Sequence, residues 1–122
     1  MINKRALICA CVLSSLAWGA QAQGAAYPNK PVRLVVGFAP GGAADYVARA
    51  MSDAMGKALG QTVIVENRAG AGSSIAAENV AKAAPDGYSV LLASPSSISV
   101  NPALNPKLNY TPKDLVPVTK VT

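Results

Sequence analysis

The hydrophobic pattern of the chain switches between two periods. Val32 to Phe38, "VRLVVGF", is almost continuously apolar and reads as a strand buried on both faces. Pro28 and Pro31 hold the lead-in extended and cannot donate within a sheet. Ala39 to Gly42 forms a loop, and from Ala43 to Leu59 the period becomes helical. Val47, Met51, Ala54, Met55 and Ala58 share one face of that helix, which predicts them as its core side. Arg49, Asp53 and Lys57 share another face and can pair along it. Gly60 suits the position just past the helix end.

Thr62 to Glu66, "TVIVE", predicts a second strand, rich in β-branched residues. "NRAGAG" is the next loop. Ser73 or Ser74 can cap a helix running to about Ala84, with Glu78 and Lys82 paired along it. Pro85 stops that helix and "PDG" makes a turn. Tyr88 to Ala93 predicts a third strand. "SPSSISVNPALNP" is a polar loop that has room for one helical turn. Leu115 to Val121 predicts a fourth strand, and "DLVPVTKVT" stops inside its alternating pattern, as if cut short. The β-α-β-α-β order implies an α/β fold with a parallel sheet and right-handed crossovers.

The amino terminus reads as a signal, not as part of the fold. Lys4 and Arg5 precede the apolar run "ALICACVLSSLAW", and Ala20 and Ala22 form an Ala-x-Ala cleavage site. The run is shorter than the roughly 20 residues a membrane span requires. Residues 1–22 are therefore expected to be a secretory signal peptide cleaved after Ala22, leaving residues 23–122 as the mature domain in the periplasm. Cys9 and Cys11 both fall inside the signal. Acylation at Cys11 would leave only the five uncharged residues after Arg5 as an apolar region, which is too short. Without cysteine or histidine, the mature part can assemble neither a disulfide, a thiolate or histidine metal site, nor a Ser-His-Asp triad. Neither catalysis nor a cofactor is expected. Losing Lys4 and Arg5 leaves nine cations against six carboxylates, a net charge of +3. These charges are scattered, without the basic stripe of a nucleic-acid binder.

Ligands of parallel α/β sheets bind outside the carboxyl ends of the strands. Three loops meet that condition here: Ala39 to Ala44, Asn67 to Ser74, and Ser94 to Asn101. All are rich in Gly, Ser and Ala. The first two feed helix amino termini, which carry unpaired N–H groups and partial positive charge. Such loops suit an anion held by main-chain donors. Each hydrogen bond to a charged group is worth roughly 1.5–3 kcal/mol. After association costs, three to five of them give about 8 kcal/mol, or micromolar affinity. "GAGSSI" carries Ile75 where a dinucleotide fingerprint needs its third glycine, and "GKALG" lacks the Ser or Thr of a P-loop. A nucleotide-using enzyme is thus disfavoured.

Asp45 has two readings: a first-turn carboxylate stabilising the helix dipole, the commoner role, or a group that recognises a ligand amine or orients the loop. Arg68 is either a solvated charge or a shaper of the second loop. Ser94, Ser96 and Ser97 are either ordinary loop residues or ligand contacts.

Three stretches, "YPNKPVRLVVGFAPGGAADYVAR", "GQTVIVENRAGAGSSIAAENVAKAAPDGYSVLLAS" and "NPALNPKLNYTPKDLVPVTKV", closely resemble the Bug (Bordetella uptake gene) family. These are periplasmic solute-binding receptors of tripartite tricarboxylate transporters. The resemblance implies a two-lobed, type II-like binding protein, monomeric, that captures a small carboxylate: citrate or another di- or tricarboxylate, an acidic amino acid, or an aromatic acid. It implies membrane components of the transporter as partners, or in some members a membrane sensor. It implies ligand contacts by main-chain amides, hydroxyls and bridging waters. Carried over by position, these come from Phe38, Ala39, Gly41, Gly42, Ala43 and Asp45 in the first loop. The second supplies Ala69, Gly70, Gly72 and Ser73, and the third Ser94, Ser96 and Ser97. Family members are well over twice as long, so the chain is expected to be the incomplete first lobe. As an isolated fragment, or a truncated product without function, it would fold marginally and bind poorly.

Overall fold

The computed structural model describes residues 26–121. The signal-peptide assignment to residues 1–22 lies outside them. Three strands, β1 (Val32–Val36), β2 (Val63–Asn67) and β3 (Ser89–Leu92), form a parallel sheet in the order β2-β1-β3. Val32 faces Val63 and Leu34 faces Val65 across one ladder; Leu34 faces Val90 and Val36 faces Leu92 across the other. The fold is α/β with a parallel sheet, as the element order implied.

Helix α1 (Ala43–Leu59) connects β1 to β2, and α2 (Ser74–Ala81) connects β2 to β3. The alternation of β1 assigns them to opposite faces. Val32, Leu34 and Val36 join Val63 and Ala48 in the main core, with Ala44, Met55, Leu59, Val65, Val90 and Leu92 packed around it. The helical face that meets the sheet therefore runs along Ala44, Ala48, Met55 and Leu59. The expected stripe is corrected here: Val47 and Met51 are half-buried at its margin, and Ala54 and Ala58 are exposed. Alanine carries little hydrophobic signal, yet Ala48 is completely buried in the core. Gly60 ends α1 in the left-handed conformation, with φ of 66°.

The other face of β1 carries Arg33, Val35 and Gly37. Arg33 there reaches Glu66 Oε2 at 2.8 Å and Asn79 Oδ1 of α2 at 3.1 Å. Burial alone raises the pKa of Glu66, but hydrogen bonds from Arg33 and Arg68 hold it below the ordinary carboxylate value. Arg49 turns to Asp45 instead of Asp53, at 3.0 Å. Glu78 pairs with Lys82 as the spacing predicted.

Two local expectations fail. Helix α2 ends at Ala81, before the Ala84 suggested by Pro85, and Ala83 N–H closes a tighter turn onto Val80. Leu115 to Val121 is not a strand. It runs extended after a short 3₁₀ turn (Pro112–Asp114), with Val116 and Val118 exposed. Alternation creates a strand only where a partner offers its ladder, and the sheet among the described residues stops at β3. Pro117 also removes one donor from the segment.

Candidate functional site

The sheet order makes β1 central, and the chain leaves it first toward β2 and then returns past it to β3. The crevice opened by that reversal lies outside the carboxyl ends of β1 and β3. All three loops singled out in the sequence gather at this edge.

The first loop begins at Gly37, which is buried, and runs through Phe38 to Gly42. Phe38, Ala39, Gly41, Gly42 and Ala43 are exposed, and residues Phe38–Ala44 line an open hollow of about 540 Å³. Gly42 caps α1 with an extended backbone and no side chain to satisfy the helix donors. The first intrahelical bond of α1 runs from Tyr46 N–H to Gly42 C=O, so the N–H groups of Ala43, Ala44 and Asp45 have no partner within the helix.

Asp45 is buried and fully engaged by the protein. Its Oδ2 accepts from Gly41 N–H at 2.9 Å and from Arg49 Nε at 3.0 Å, and its Oδ1 accepts from Asn67 Nδ2 at 3.0 Å. These donors, the Arg49 guanidinium foremost, hold its carboxyl far below the ordinary range. With both oxygens occupied, Asp45 orients the loop; it does not hold out a free carboxylate for a ligand amine. Asn67, at the end of β2, completes the brace by donating to Phe38 C=O at 3.1 Å. Sequence reading passed over Asn67, because an Asn ending a strand looks like ordinary turn chemistry.

The second loop is the most constrained. Ala71, Gly72 and Ser73 are all left-handed, with φ of 45°, 58° and 71°. For a residue with a Cβ this conformation costs roughly 1–2 kcal/mol. Ala69 is exposed and Gly70 half-buried beside Ile75. Ser73 sits at the cap position of α2, as expected, but makes no capping bond. Its backbone turns the side chain away from the helix and presses it against Gly37. A Cβ on Gly37 would lie 1.8 Å from Ser73 Oγ. The Ser73 hydroxyl is buried and has no hydrogen-bond partner among the described residues. Arg68 pairs with Glu66 at 2.6 Å and hangs its N–H on Val36 C=O at 2.8 Å, which fixes the start of this loop.

The third loop is more helical than expected. A π-helical turn (Ser96–Val100) runs into a short helix α3 (Asn101–Leu104). Its serines bond chiefly to one another. Ser97 Oγ donates to Ser94 C=O at 3.0 Å and accepts from Ser94 N–H at 3.2 Å, and Ser97 is fully buried. Ser94 and Ser96 stay half-buried, their hydroxyls 3.4 Å apart. Tyr110, which sequence reading did not single out, returns from beyond α3 to donate to Ser97 C=O at 2.6 Å. Asn101 reaches across to the second loop, with Nδ2 2.7 Å from Ser74 Oγ.

The edge therefore offers N–H donors and two helix amino termini, with its nearest cations already paired to carboxylates; the Ser73 hydroxyl, unpartnered among the described residues, is buried against Gly37 beside it. A second hollow, of about 470 Å³, lies at the opposite edge among Ser52, Asp53, Gly56, Lys57 and Gln61. There α1 presents its carbonyl end, which is unfavourable to an anion.

Comparison with known proteins identifies the family. Residues 47–122 match the model of the tripartite tricarboxylate transporter family receptor. A UPF0065 protein of Agrobacterium vitis is 46% identical over 111 residues, covering 91% of this chain and 32% of that protein. Protein BugT of Bordetella pertussis is 44% identical over 97 residues, covering 78% and 30%. Among solved structures, MatC from Rhodopseudomonas palustris with bound malate superposes with a TM-score of 0.66 at 44% identity, over 70% of this chain and 29% of that one. A second R. palustris protein, solved with adipate, gives a TM-score of 0.56 at 37% identity, over 57% and 23%. The chain thus spans about a third of the length of the curated relatives it matches.

Proposed function

As the chain belongs to the tripartite tricarboxylate transporter receptor family, we propose that it supplies one wall of a periplasmic receptor site for a small dicarboxylate. The observation that carries this reading is the buried, unpaired Ser73 hydroxyl, set beside Gly37 where the first and second loops meet. A buried polar atom left without a partner costs free energy that a bound group can recover. Malate in one structural relative and adipate in another support the ligand class.

One carboxylate of the ligand sits over the amino ends of α1 and α2. It accepts from main-chain N–H groups of Ala43 and Ala44 and, once the second loop shifts to uncover it, from the Ser73 hydroxyl, which is buried in the ligand-free chain. The exposed Phe38 ring and Ala39 give the carbon chain an apolar surface. A wall of neutral donors selects for anionic charge without a countercharge that would slow release. Residues 1–22 direct the chain to the periplasm and are removed there. The membrane components of a tripartite transporter receive the ligand, and no step in this role involves catalysis.

The test is an NMR titration of the full chain with L-malate, using malamide as the neutral control. One wall with two or three charge-assisted bonds gives an expected Kd of about 1 mM, near 4 kcal/mol. Amide shifts should be confined to Ala39–Asp45, Ala69–Ser74 and Ser94–Ser97. Shifts elicited equally by malamide, or centred on Ser52–Val63, would overturn the reading.

A further inference from the structure

The reach of Asn101 to the second loop extends beyond Ser74. The two hydrogens of its amide nitrogen are shared among three acceptors: Ala71 C=O at 3.1 Å, Gly72 C=O at 3.0 Å and Ser74 Oγ at 2.7 Å. These acceptors bracket the left-handed run Ala71–Ser73. The other hydrogen bonds of that run's backbone are local: Ser73 N–H to Gly70 C=O at 2.9 Å, and Ser74 N–H to Ala71 C=O; from outside, the Tyr110 hydroxyl touches only Ser74 Oγ, at a long 3.4 Å. Local bonds of this kind do not choose the strained conformation over a relaxed one. The run needs a clamp from outside, and Asn101 on α3 provides it. A Cβ on Gly72 would stand 3.0 Å from Asn101 Nδ2, so the approach is close and leaves little room for a side chain there.

The alternative conformation of Ser73 is easily named. Serine is a preferred helix cap when its backbone is extended, its oxygen then accepting from an N–H of the first helical turn. Ser73 occupies that position before α2 but is held at φ of 71° and does not cap. We infer that Asn101 is a positioning residue for the anion site: by clamping Ala71 and Gly72, it prevents Ser73 from capping its own helix and so keeps the hydroxyl free for a ligand. The consequence for a ligand rests on the receptor reading above; the clamp itself does not.

The experiment is amide hydrogen exchange and L-malate titration by NMR on the full chain, wild type and Asn101→Asp. Aspartate keeps the size of the side chain and loses both amide hydrogens. The expected result is exchange at Ser73 and Ser74 at least about tenfold faster, a loss of one charge-neutral hydrogen bond or more. Exchange at Ala76 slows as Ser73 takes up the cap, Val35 in β1 is unchanged, and the malate response at the second loop falls by about tenfold or more. Unaltered exchange at residues 73–76, or equal acceleration at Val35, would overturn the inference by showing no clamp or only general loosening. The double variant Asn101→Asp/Ser73→Gly gives a second reading, since glycine accepts the left-handed conformation unaided. It should restore protection at Ser74 without restoring the malate response. If Asn101→Asp does not fold, recovery of the fold in this double variant supports the clamp, and failure to recover it refutes the clamp. A wild-type chain indifferent to malate, with the exchange pattern as expected, would refute the receptor reading and leave the clamp standing.

Discussion

Replacing Gly37 by alanine places a methyl group where the second loop already is. The added Cβ would stand 1.8 Å from Ser73 Oγ, 2.4 Å from its Cβ and 2.8 Å from its Cα. Rotating the serine relieves the first contact, but the other two require the backbone to move. That backbone is the left-handed run held between β1 and α3. Overpacking at a site that can yield only by backbone shift costs about 1–3 kcal/mol, and the absence of a rotamer escape favours the upper end. For a domain of this size each kcal/mol lowers Tm by roughly 4–8 °C, so a loss of about 10–20 °C is expected. Circular dichroism melts of the full chain measure it. Gly42→Ala is the control: its φ of −84° suits any residue, and the nearest atom to the new Cβ is Ala39 O at 3.5 Å, an ordinary contact. It should change stability by no more than about 0.5 kcal/mol. Ser73→Gly in the Gly37→Ala background removes two of the three clashes and should return part of the lost stability. A Gly37→Ala chain melting within about 2 °C of wild type would refute the packing argument, since overpacking of this kind costs far more than that shift.

Tyr110→Phe removes the donor to Ser97 C=O and leaves a buried carbonyl unpaired, at an expected cost of about 1–3 kcal/mol in urea unfolding. An unchanged midpoint would mean that the third loop re-pairs this group unaided. The acid limb of stability should reflect Asp45. Its folded pKa lies below the unfolded value near 3.8, so its contribution is complete above that value and is lost as pH falls below about 4. In Asp45→Asn, melts from pH 7 down to pH 2 should start lower and show a shallower acid decline; an acid limb as steep as in wild type would assign the decline to other carboxylates such as Glu66.

The strands, both main helices and the edge at which the three loops meet were legible because each follows from local chemistry. An unbroken apolar run suits a central parallel strand, a change to helical period announces α1, and Gly60 marks its end. Where local signal and tertiary partner diverged, the local signal misled. Ala44 and Ala48 face the core although Met51 and Ala54 looked as eligible, because the side of α1 laid on the sheet runs along Ala44, Ala48, Met55 and Leu59. The alternation of Leu115 to Val121 found no ladder to join.

The sequence by itself determined the composition of this edge: Gly- and Ser-rich loops opening onto helix amino termini, loops that hold neither histidine nor cysteine. Only the tertiary structure decided the duty of each residue within it. Asp45 braces the loop because Gly41, Arg49 and Asn67, from different segments, converge on its two oxygens. Ser97 is spent on Ser94, and Ser73 is left without a partner among the described residues because a side chain from α3 holds its turn left-handed against Gly37. Composition and spacing name the donors present at an edge. Which of them remain unpaired depends on contacts between residues far apart in the chain, and those exist only once the sheet, the helices and the third loop have packed.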